Sequence, residues 1–209
     1  MSVSNKLKGK TVVITGGSSG IGKSLAFVFG REGANIVITG RDSGKLDTAS
    51  KELSSAGIVN APFIADASKE EDNFKTAQFA ASKFGGIDIL INNAGLSMRA
   101  LFQECDMQVI RQLMEVNFFG TVYATHACLP YILKSKGSIV GISSIAGFRG
   151  LPGRTGYSAS KFAMNGFLEA LRTELMYQHV NVLTVCPGFT ASYIRNTALG
   201  KGGESIGET

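Results

Sequence analysis

The chain has 209 residues, a formal net charge of +5 and 18% charged residues, and 44% of its residues are hydrophobic. This balance excludes a disordered chain, and the length suits a unit that buries an ordinary core without disulfides. Glycine is abundant at 26 residues, but it follows no three-residue period, so collagen is excluded and close backbone approaches are expected. No basic run interleaved with aromatics indicates a nucleic-acid site, whereas the mild positive balance would suit an anionic small ligand.

Three features bear on the compartment. Cys105, Cys128 and Cys186 are widely spaced and contain no C-x-x-C pair, which is typical of reduced core residues. Residues 1–10 are polar and lysine-rich and lack the apolar segment of a signal peptide. The apolar stretch at 118–133 is broken by polar residues and falls short of the ~18 residues of a membrane span. We therefore expect a cytoplasmic protein.

Short β-rich runs alternate with longer stretches of helical periodicity. In chain order, the pattern predicts strands at 11–15, 35–39, 58–65, 87–91, 138–142 and 180–185, and helices at 20–31, 42–56, 68–84, 103–133 and 156–178. Asp42 or Ser43 is expected to cap the second helix, and Ser68 with Glu71 forms a predicted capping box on the third. Pro62 indicates an edge position for the third strand.

The strands are continuous apolar runs, which is typical of parallel strands covered on both faces. Repeated β-α units therefore predict an α/β fold: a doubly wound parallel sheet with helices on both faces, in three layers. No linker or internal repeat divides the chain, so we expect residues 1–209 to form a single domain. Residues 200–209 are rich in Gly, Ser and Glu and are predicted to be a loop or frayed tail.

A glycine-rich turn joins the first strand to the first helix, with the sequence Thr15-Gly-Gly-Ser-Ser-Gly-Ile-Gly22. Gly16, Gly20 and Gly22 would allow a tight turn, a close approach of the backbone to a pyrophosphate, and tight helix–strand packing. The helix N-terminus would favour an anion. An ordinary glycine-rich turn has the same letters, but the position between a strand and a helix favours dinucleotide binding.

A Walker A phosphate loop is the competing interpretation of the same segment, because Lys23-Ser24 follows Gly22. Its first glycine would be Gly17, which would need a loop before it. The strand already turns at Gly16, so this interpretation is disfavoured.

The end of the second strand bears on the choice of cofactor. It has the sequence Thr39-Gly40-Arg41, with no carboxylate for a ribose 2′-hydroxyl. The Arg41 guanidinium suits a 2′-phosphate, which favours NADP(H) over NAD(H). The alternative is that Arg41 is a surface charge paired with Asp42 or Asp47.

A candidate catalytic group follows the fifth strand. Tyr157 and Lys161 are four residues apart and would share a helix face. A nearby ammonium favours the phenolate and lowers a tyrosine's pKa, which suits a general acid or base. Ser144, at the end of the strand, could donate to a developing oxyanion. A half-buried tyrosine beside a surface lysine would give the same spacing.

Taken together, these motifs resemble the short-chain dehydrogenase/reductase family of the single-domain, Rossmann type. The matching segments, in the family's order, are Thr15 to Gly22, Asn92-Asn-Ala-Gly95, Asn117, Ser144, Tyr157-x-x-x-Lys161 and Pro187-Gly188. Family chains are longer, so the resemblance implies that a C-terminal strand and helix are missing here, which would leave the sixth strand without a neighbour. The alternative is that the substrate lid and the sheet edge are built differently.

The resemblance implies catalytic roles for four residues. Tyr157 would be the acid/base, and Lys161 would lower its pKa and bind the nicotinamide ribose. Ser144 would polarise the substrate oxygen, and Asn117 would hold a water that links Lys161 to solvent. Asn117 could instead be a helix residue bonded to backbone.

It also implies a set of cofactor-binding residues, with Asp66 on the adenine amino group. The set is Gly16, Ser18, Ser19, Gly20, Ile21, Gly22, Arg41, Asp66, Ala67, Asn93, Ala94, Gly95, Tyr157, Lys161, Pro187, Gly188, Thr190 and Ser192. Two alternatives stay open: Asp66 could cap a helix near Ser68, and residues 92–95 could serve mainly as a turn that supports the sheet. Neither histidine has partners at metal spacing, so no metal site is expected.

The expected function is that of an NADP(H)-dependent oxidoreductase, which transfers hydride between the nicotinamide and a hydrophobic ketone or alcohol. Candidate pocket residues are Leu96, Ser97, Met98, Arg99, Phe148, Leu151, Phe189 and Tyr193. A sensor or scaffold protein that binds NADP(H) without turnover is the alternative, and an epimerase or dehydratase is disfavoured because the chain has no room for a substrate domain. The resemblance also implies a homodimer or homotetramer formed through the helices at 103–133 and 156–178.

Overall fold

Strands and helices alternate along the chain in the computed structural model, which describes residues 6–188, 190, 194 and 196–207. The strands are β1 (Thr11–Ile14), β2 (Asn35–Gly40), β3 (Asn60–Ile64), β4 (Ile89–Asn92), β5 (Ser138–Ile142) and β6 (Asn181–Val185). The helices are α1 (Gly20–Arg31), α2 (Ser43–Ser55), α3 (Glu70–Phe84), α4 (Met107–Leu113), α5 (Gly120–Ser135) and α6 (Thr155–Leu175). Within the described ranges, no helix is both long and apolar enough to cross a membrane.

All six strands run parallel in one sheet, in the order β3-β2-β1-β4-β5-β6. The order reverses between β1 and β4, and in such sheets the crevice at the carboxyl ends of these strands is where ligands bind. This Rossmann-type topology confirms the predicted fold class. Pro62 lies in β3 at one edge, as predicted. At the other edge, β6 pairs with β5 alone among the residues described.

Successive side chains of the strands point alternately into two separate apolar layers, one on each face of the sheet. Val13 of β1 packs with the layer under α3, α5 and α6, together with Val37 and Leu90. Its neighbours Val12 and Ile14 pack with the layer under α1 and α2. All of these strand side chains are at most 1% exposed, so the sheet is covered on both faces, as continuous apolar strands require.

The start of the third helix differs from the prediction. α3 begins at Glu70 with Lys69 as its N-cap, which makes no side-chain hydrogen bond. Ser68 instead donates to Oδ1 of Asp66 from both its backbone nitrogen (3.0 Å) and its hydroxyl (2.8 Å). The predicted capping box is therefore wrong, because the Ser68 hydroxyl is already engaged by Asp66, two residues earlier. The Asp42 cap is confirmed, since its side chain accepts from the Lys45 backbone nitrogen.

The single long helix predicted at 103–133 is divided. A 3-10 turn (Phe102–Glu104) precedes α4, and a π-helical turn (Met114–Phe119) joins α4 to α5. Asp106 accepts a hydrogen bond from the Gln108 backbone nitrogen at 2.8 Å, which starts α4 as a new helix. Apolar periodicity alone does not mark such breaks, and π turns often lie at functional sites.

The predicted loop or frayed tail after residue 199 is folded against the body. Leu199 bridges to Met98 in parallel and to Ser205 in antiparallel orientation. Its backbone nitrogen donates to the Ser97 carbonyl and its carbonyl accepts from the Arg99 nitrogen, both at 2.9 Å. Leu199 is 7% exposed, so one apolar side chain anchors the glycine-rich segment that follows it.

Candidate active site

A cavity of about 1190 Å³ lies at the carboxyl ends of the strands, on both sides of the point where the strand order reverses. Most of the predicted site residues line it: Gly16, Ser18, Ser19, Gly20, Ile21, Arg41, Asp66, Ala67, Asn93, Ala94, Gly95, Ser144, Tyr157, Lys161, Pro187, Gly188 and Thr190. Gly22 and Asn117 are not among the residues that line it. Ser192, Phe189 and Tyr193 fall outside the described residues.

The glycine loop is held in close contact with the segment after β4. Gly16 has a φ of +65°, and a Cβ there would lie 2.9 Å from the Ala94 Cα. The Asn93 side-chain amide donates to the carbonyls of Thr15 and Gly16, both at 3.0 Å. A Cβ on Gly22 would overlap the Gly16 carbonyl, so Gly22 packs α1 against the loop instead of facing the cavity.

Thr15 completes the junction between the glycine loop and the segment after β4, although the sequence assigned it no role. Its hydroxyl accepts from the backbone nitrogens of Asn93 and Ala94, both at 3.0 Å. Thr15 is 4% exposed. A buried hydroxyl at the end of the first strand was the signal for such a contact, because buried polar groups are paired.

The N-terminus of α1 faces the cavity with its first turn uncapped by a side chain. Ser19, the N-cap, makes no side-chain hydrogen bond to the helix, and the first turn carries no acidic residue. Such a terminus leaves backbone N–H groups for an anion. Lys23 in this turn pairs with Glu52 at 2.8 Å, so its ammonium is engaged with α2.

Arg41 lies at the far end of the cavity without the partners that the alternative interpretation offered. Asp42 caps α2 and contacts Lys45 at 3.7 Å, and Asp47 pairs with Lys51 at 2.7 Å. Among the residues described, no carboxylate forms an ion pair with Arg41. Lys45 also lines this end, which gives the wall two cations beside Ser18 and Gly40.

Asp66 presents its carboxylate to the same end of the cavity. One carboxylate oxygen accepts the two bonds from Ser68, so Asp66 closes a turn and does not cap α3. Its second oxygen takes no hydrogen bond from the part of the chain that is described. That oxygen is the acceptor that the predicted adenine contact would need.

Three predicted catalytic residues converge at the other end. Tyr157 and Lys161 come from the first turns of α6 and are 8% and 3% exposed, and Ser144 follows β5. The Ser144 hydroxyl oxygen accepts from the Ala146 backbone nitrogen at 3.2 Å, which leaves its hydrogen to be donated into the cavity.

Lys161 is a buried amine held by backbone. Its Nζ donates to the Ile142 carbonyl at 2.8 Å and lies 3.7 Å from the Met164 sulfur. Burial lowers the pKa of Lys161 to about 8, and the nearby Cys186 opposes part of this shift. A lysine in this state changes charge close to neutral pH.

Asn117 occupies the π-helical turn and is fully buried. Its Oδ1 accepts from the Leu96 backbone nitrogen at 2.8 Å, and its Nδ2 donates to the Leu96 carbonyl and the Ser160 hydroxyl, both at 2.9 Å. A Cβ on Gly95 would lie 3.2 Å from this Oδ1 and 3.7 Å from the Lys161 Nζ. Asn117 thus fixes the chain beside Lys161, and its role in proton relay stays a prediction.

The substrate side is only partly as predicted. Leu96, Ser97 and Leu151 line the cavity, whereas Met98, Arg99 and Phe148 do not. The sequence reasoning missed several wall residues there: Val116, Ile142, Ile145, Pro152, Arg154, Ile194 and Thr197. Of these, Arg154 had a usable signal, because it precedes Tyr157 by three residues.

In the described ranges, no group of three His, Cys, Asp or Glu side chains could hold a metal ion. The three cysteines are free thiols. Cys128 lies in the core, and its burial raises the pKa of its thiol to about 12.

The donor set fits a dinucleotide. The positive φ at Gly16 and the uncapped α1 terminus provide a close, N–H-rich surface for phosphates. Asp66 and Arg41 lie at one end of a continuous cavity, and Tyr157 lies at the other. A ligand with a ring system at each end and phosphates between them would contact Asp66 and Arg41 at one end, the glycine loop in the middle and Tyr157 at the other end.

Comparison with known proteins agrees with this geometry. The family model described as short chain dehydrogenase matches residues 10–200. "Dehydrogenase/reductase SDR family protein 7-like" of Drosophila melanogaster is 38% identical over 98% of this chain and 64% of its own length. "11-beta-hydroxysteroid dehydrogenase-like 4A" of Arabidopsis thaliana is 37% identical over 88% of this chain and 62% of its own length.

A solved structure has a similar fold. The short chain dehydrogenase/reductase of Burkholderia phymatum in complex with NAD is 28% identical, with a TM-score of 0.88 over 91% of this chain and 69% of that one. The chain spans somewhat less than two thirds of the length of the curated relatives it matches. By the family match over nearly its whole length, this chain belongs to the short-chain dehydrogenase/reductase family.

Proposed function

We propose that the protein is an NADP(H)-dependent oxidoreductase that interconverts a carbonyl compound and its alcohol. The observation that carries this proposal is that Ser144, Tyr157 and Lys161 line the same cavity as the glycine loop. A nucleotide-binding loop and an acid/base group in one cavity are what a hydride transfer with coupled proton transfer requires.

When bound, the reduced nicotinamide would supply a hydride to the substrate carbon. Tyr157 would donate its phenolic proton to the substrate oxygen as negative charge develops there. A positioned general acid of this kind contributes a factor of ~10²–10⁴ in rate. The Ser144 hydroxyl, with its oxygen fixed by Ala146, would donate a second hydrogen bond to the same oxygen.

The Lys161 ammonium would place a positive charge close to the hydroxyls of Tyr157 and Ser144. A cation close to a phenol favours the phenolate that remains after proton donation. Since burial lowers the pKa of Lys161 to about 8, its charge changes at mildly alkaline pH.

The choice of NADP(H) is supported by Arg41 and Lys45. Both line the far end of the cavity, and the end of β2 carries Thr39 and Gly40 where NAD-specific sites hold a carboxylate. A guanidinium forms a planar fork that matches phosphate oxygens. The Burkholderia structure contains NAD, so NAD(H) is the competing cofactor.

For the substrate we propose an apolar ketone or alcohol, with a steroid-like compound as one candidate. Leu96, Val116, Ile145 and Leu151 give the catalytic end of the cavity an apolar wall. Several relatives carry 11-beta-hydroxysteroid dehydrogenase in their names. Organisation as a single domain, a cytoplasmic location and self-association stay predictions.

The experiment is to incubate the protein with NADPH and a panel of ketones, aldehydes and quinones, including a ketosteroid, and to follow the absorbance of reduced nicotinamide. Consumption of NADPH that depends on both protein and carbonyl supports the proposal. Tight NADPH binding without turnover of any member would favour the sensor alternative. Comparable affinity for NADH and NADPH would contradict the cofactor assignment.

A further inference from the structure

Arg154 is a cation at the catalytic end of the cavity that the proposed chemistry does not use. It is the N-cap residue of α6, three residues before Tyr157, and both line the cavity. Three residues along a helix span about 5 Å. A guanidinium there would lie within reach of a group only a few bonds from the reacting carbonyl.

The Arg154 side chain is positioned by the neighbouring segment. Its Nη1 donates to the Ser97 hydroxyl at 2.7 Å, and Ser97 is 2% exposed. The Ser97 carbonyl in turn accepts from Leu199, and the Ala100 nitrogen donates to the Gly153 carbonyl at 3.0 Å. The guanidinium is therefore held against a part of the chain that is itself tied down.

No carboxylate of the described residues neutralises this cation. Among the described residues, Arg154 forms no ion pair, and the one hydrogen bond of its side chain goes to a hydroxyl. The acidic side chains on the described wall, Asp42 and Asp66, lie at the opposite end. A guanidinium has five donors, so most of them remain for a ligand. The other described residues at this end are apolar or hydroxyl-bearing, apart from Lys161, whose amine is bonded to Ile142.

We propose that Arg154 binds an anionic group of the substrate, so that the protein acts on apolar carbonyl compounds that carry a carboxylate a few bonds from the carbonyl. This inference rests on the proposed function and narrows its substrate class. A carboxylate matches the planar guanidinium fork, and charge-assisted hydrogen bonds of this kind are about twice as strong as neutral ones. In a partly buried site they are worth enough to distinguish an acid from its neutral amide.

The competing explanation is that Arg154 is only a clamp between the start of α6 and the segment at 97–100. The two explanations differ in what Ser97→Ala does. That variant removes the clamp but leaves the guanidinium in the cavity wall. If Arg154 binds substrate, the preference for an anion survives Ser97→Ala and is lost in Arg154→Gln.

The test is a titration calorimetry comparison of benzoylpropionate with its neutral amide, benzoylpropionamide, in saturating NADP⁺. The oxidised cofactor prevents reduction of either ketone, so the readout is binding alone. The wild-type protein should bind the acid at least tenfold more tightly than the amide, and added salt should reduce this ratio. Arg154→Gln should bind the two equally, Arg154→Lys should retain part of the preference, and thermal melts confirm that each variant is folded.

Equal affinity of the wild-type protein for acid and amide would overturn the inference, as would an unchanged preference in Arg154→Gln. The outcome is independent of turnover. A preference for the acid in a protein that consumes no NADPH with any carbonyl would contradict the proposed function while leaving this site in place.

Discussion

The Lys161 ammonium donates a hydrogen bond to the carbonyl of Ile142 across 2.8 Å, at a point where the side chain is 3% exposed. A backbone carbonyl satisfies one donor but does not neutralise the charge, and desolvation of the amine therefore dominates. As a consequence, the pKa of Lys161 falls from 10.5 to about 8. The proposed chemistry needs Lys161 in its charged form, and burial of that charged amine lowers the stability of the folded protein.

The penalty for burying the charged Lys161 amine predicts that the free energy of unfolding depends on pH. Below pH about 8, Lys161 is charged in both states and the folded form bears the full penalty. Between about 8 and 10.5 the unfolded chain binds the proton and the folded chain does not, so the stability of the wild-type protein rises with pH relative to Lys161→Met. The difference amounts to roughly 3 kcal/mol. Urea denaturation of both proteins at pH values on either side of this window measures it, and a constant difference across the window would contradict the buried-amine account.

A second prediction concerns the packing of Gly22 in α1. A Cβ there would overlap the Gly16 carbonyl and lie against the Asn93 side chain. Overpacking against backbone costs about 1–3 kcal/mol, so Gly22→Ala should lower the free energy of unfolding.

The matched control is Gly166→Ala in the interior of α6, where a Cβ would meet open space. This change should be neutral or raise stability by up to about 1 kcal/mol, because alanine is the better helix former. Chemical denaturation of the two variants gives the comparison, and a similar effect at both sites would refute the packing argument.

A third prediction concerns the junction of Thr15 and Asn93. Asn93→Leu removes the two donors that hold the glycine-loop carbonyls, and Thr15→Val removes the acceptor of two backbone N–H groups. Each change leaves buried polar groups unpaired and should cost about 1–3 kcal/mol. NADPH titrations should show nucleotide affinity falling by tenfold or more in each variant. Unchanged affinity in both would mean that the loop keeps its shape without the junction.

The fourth prediction separates the two cofactors. Arg41→Ala should weaken NADPH binding by tenfold or more and leave NADH binding nearly unchanged, since only NADPH carries the 2′-phosphate. Lys51→Ala is the matched control, because Lys51 is an exposed cation on α2 whose partner is Asp47. Equal losses for both nucleotides in Arg41→Ala would assign Arg41 to a general electrostatic role.

Most of the sheet could be predicted because continuous apolar strands and helical periodicity are strong local signals. β3 was expected at the edge from Pro62, and the Asp42 cap was expected from its position before α2. The failures have non-local causes. Ser68 has the residue type of a cap, but its hydroxyl is used by Asp66, and only the folded chain shows this competition.

The site was predictable where chemistry is tied to spacing. The positions of Tyr157 and Lys161 on one helix face follow from their separation. The spacing of Arg154 from Tyr157 indicates only that the two are neighbours, whereas the lack of a carboxylate partner for Arg154 among the described residues is a property of the assembled wall. The anchoring of the tail by Leu199 was missed for a similar reason, because a single apolar residue beside a glycine-rich stretch carries little local information.

The central claim is that Tyr157 transfers the proton, and the substitution Tyr157→Phe tests it most directly. Phenylalanine keeps the ring and removes only the hydroxyl. The measurement is kcat for NADPH-dependent reduction of the best carbonyl substrate from the panel, alongside the NADPH dissociation constant by fluorescence titration. We predict that kcat falls by a factor of ~10²–10⁴ while the dissociation constant changes less than about threefold. Full turnover in Tyr157→Phe would contradict the account.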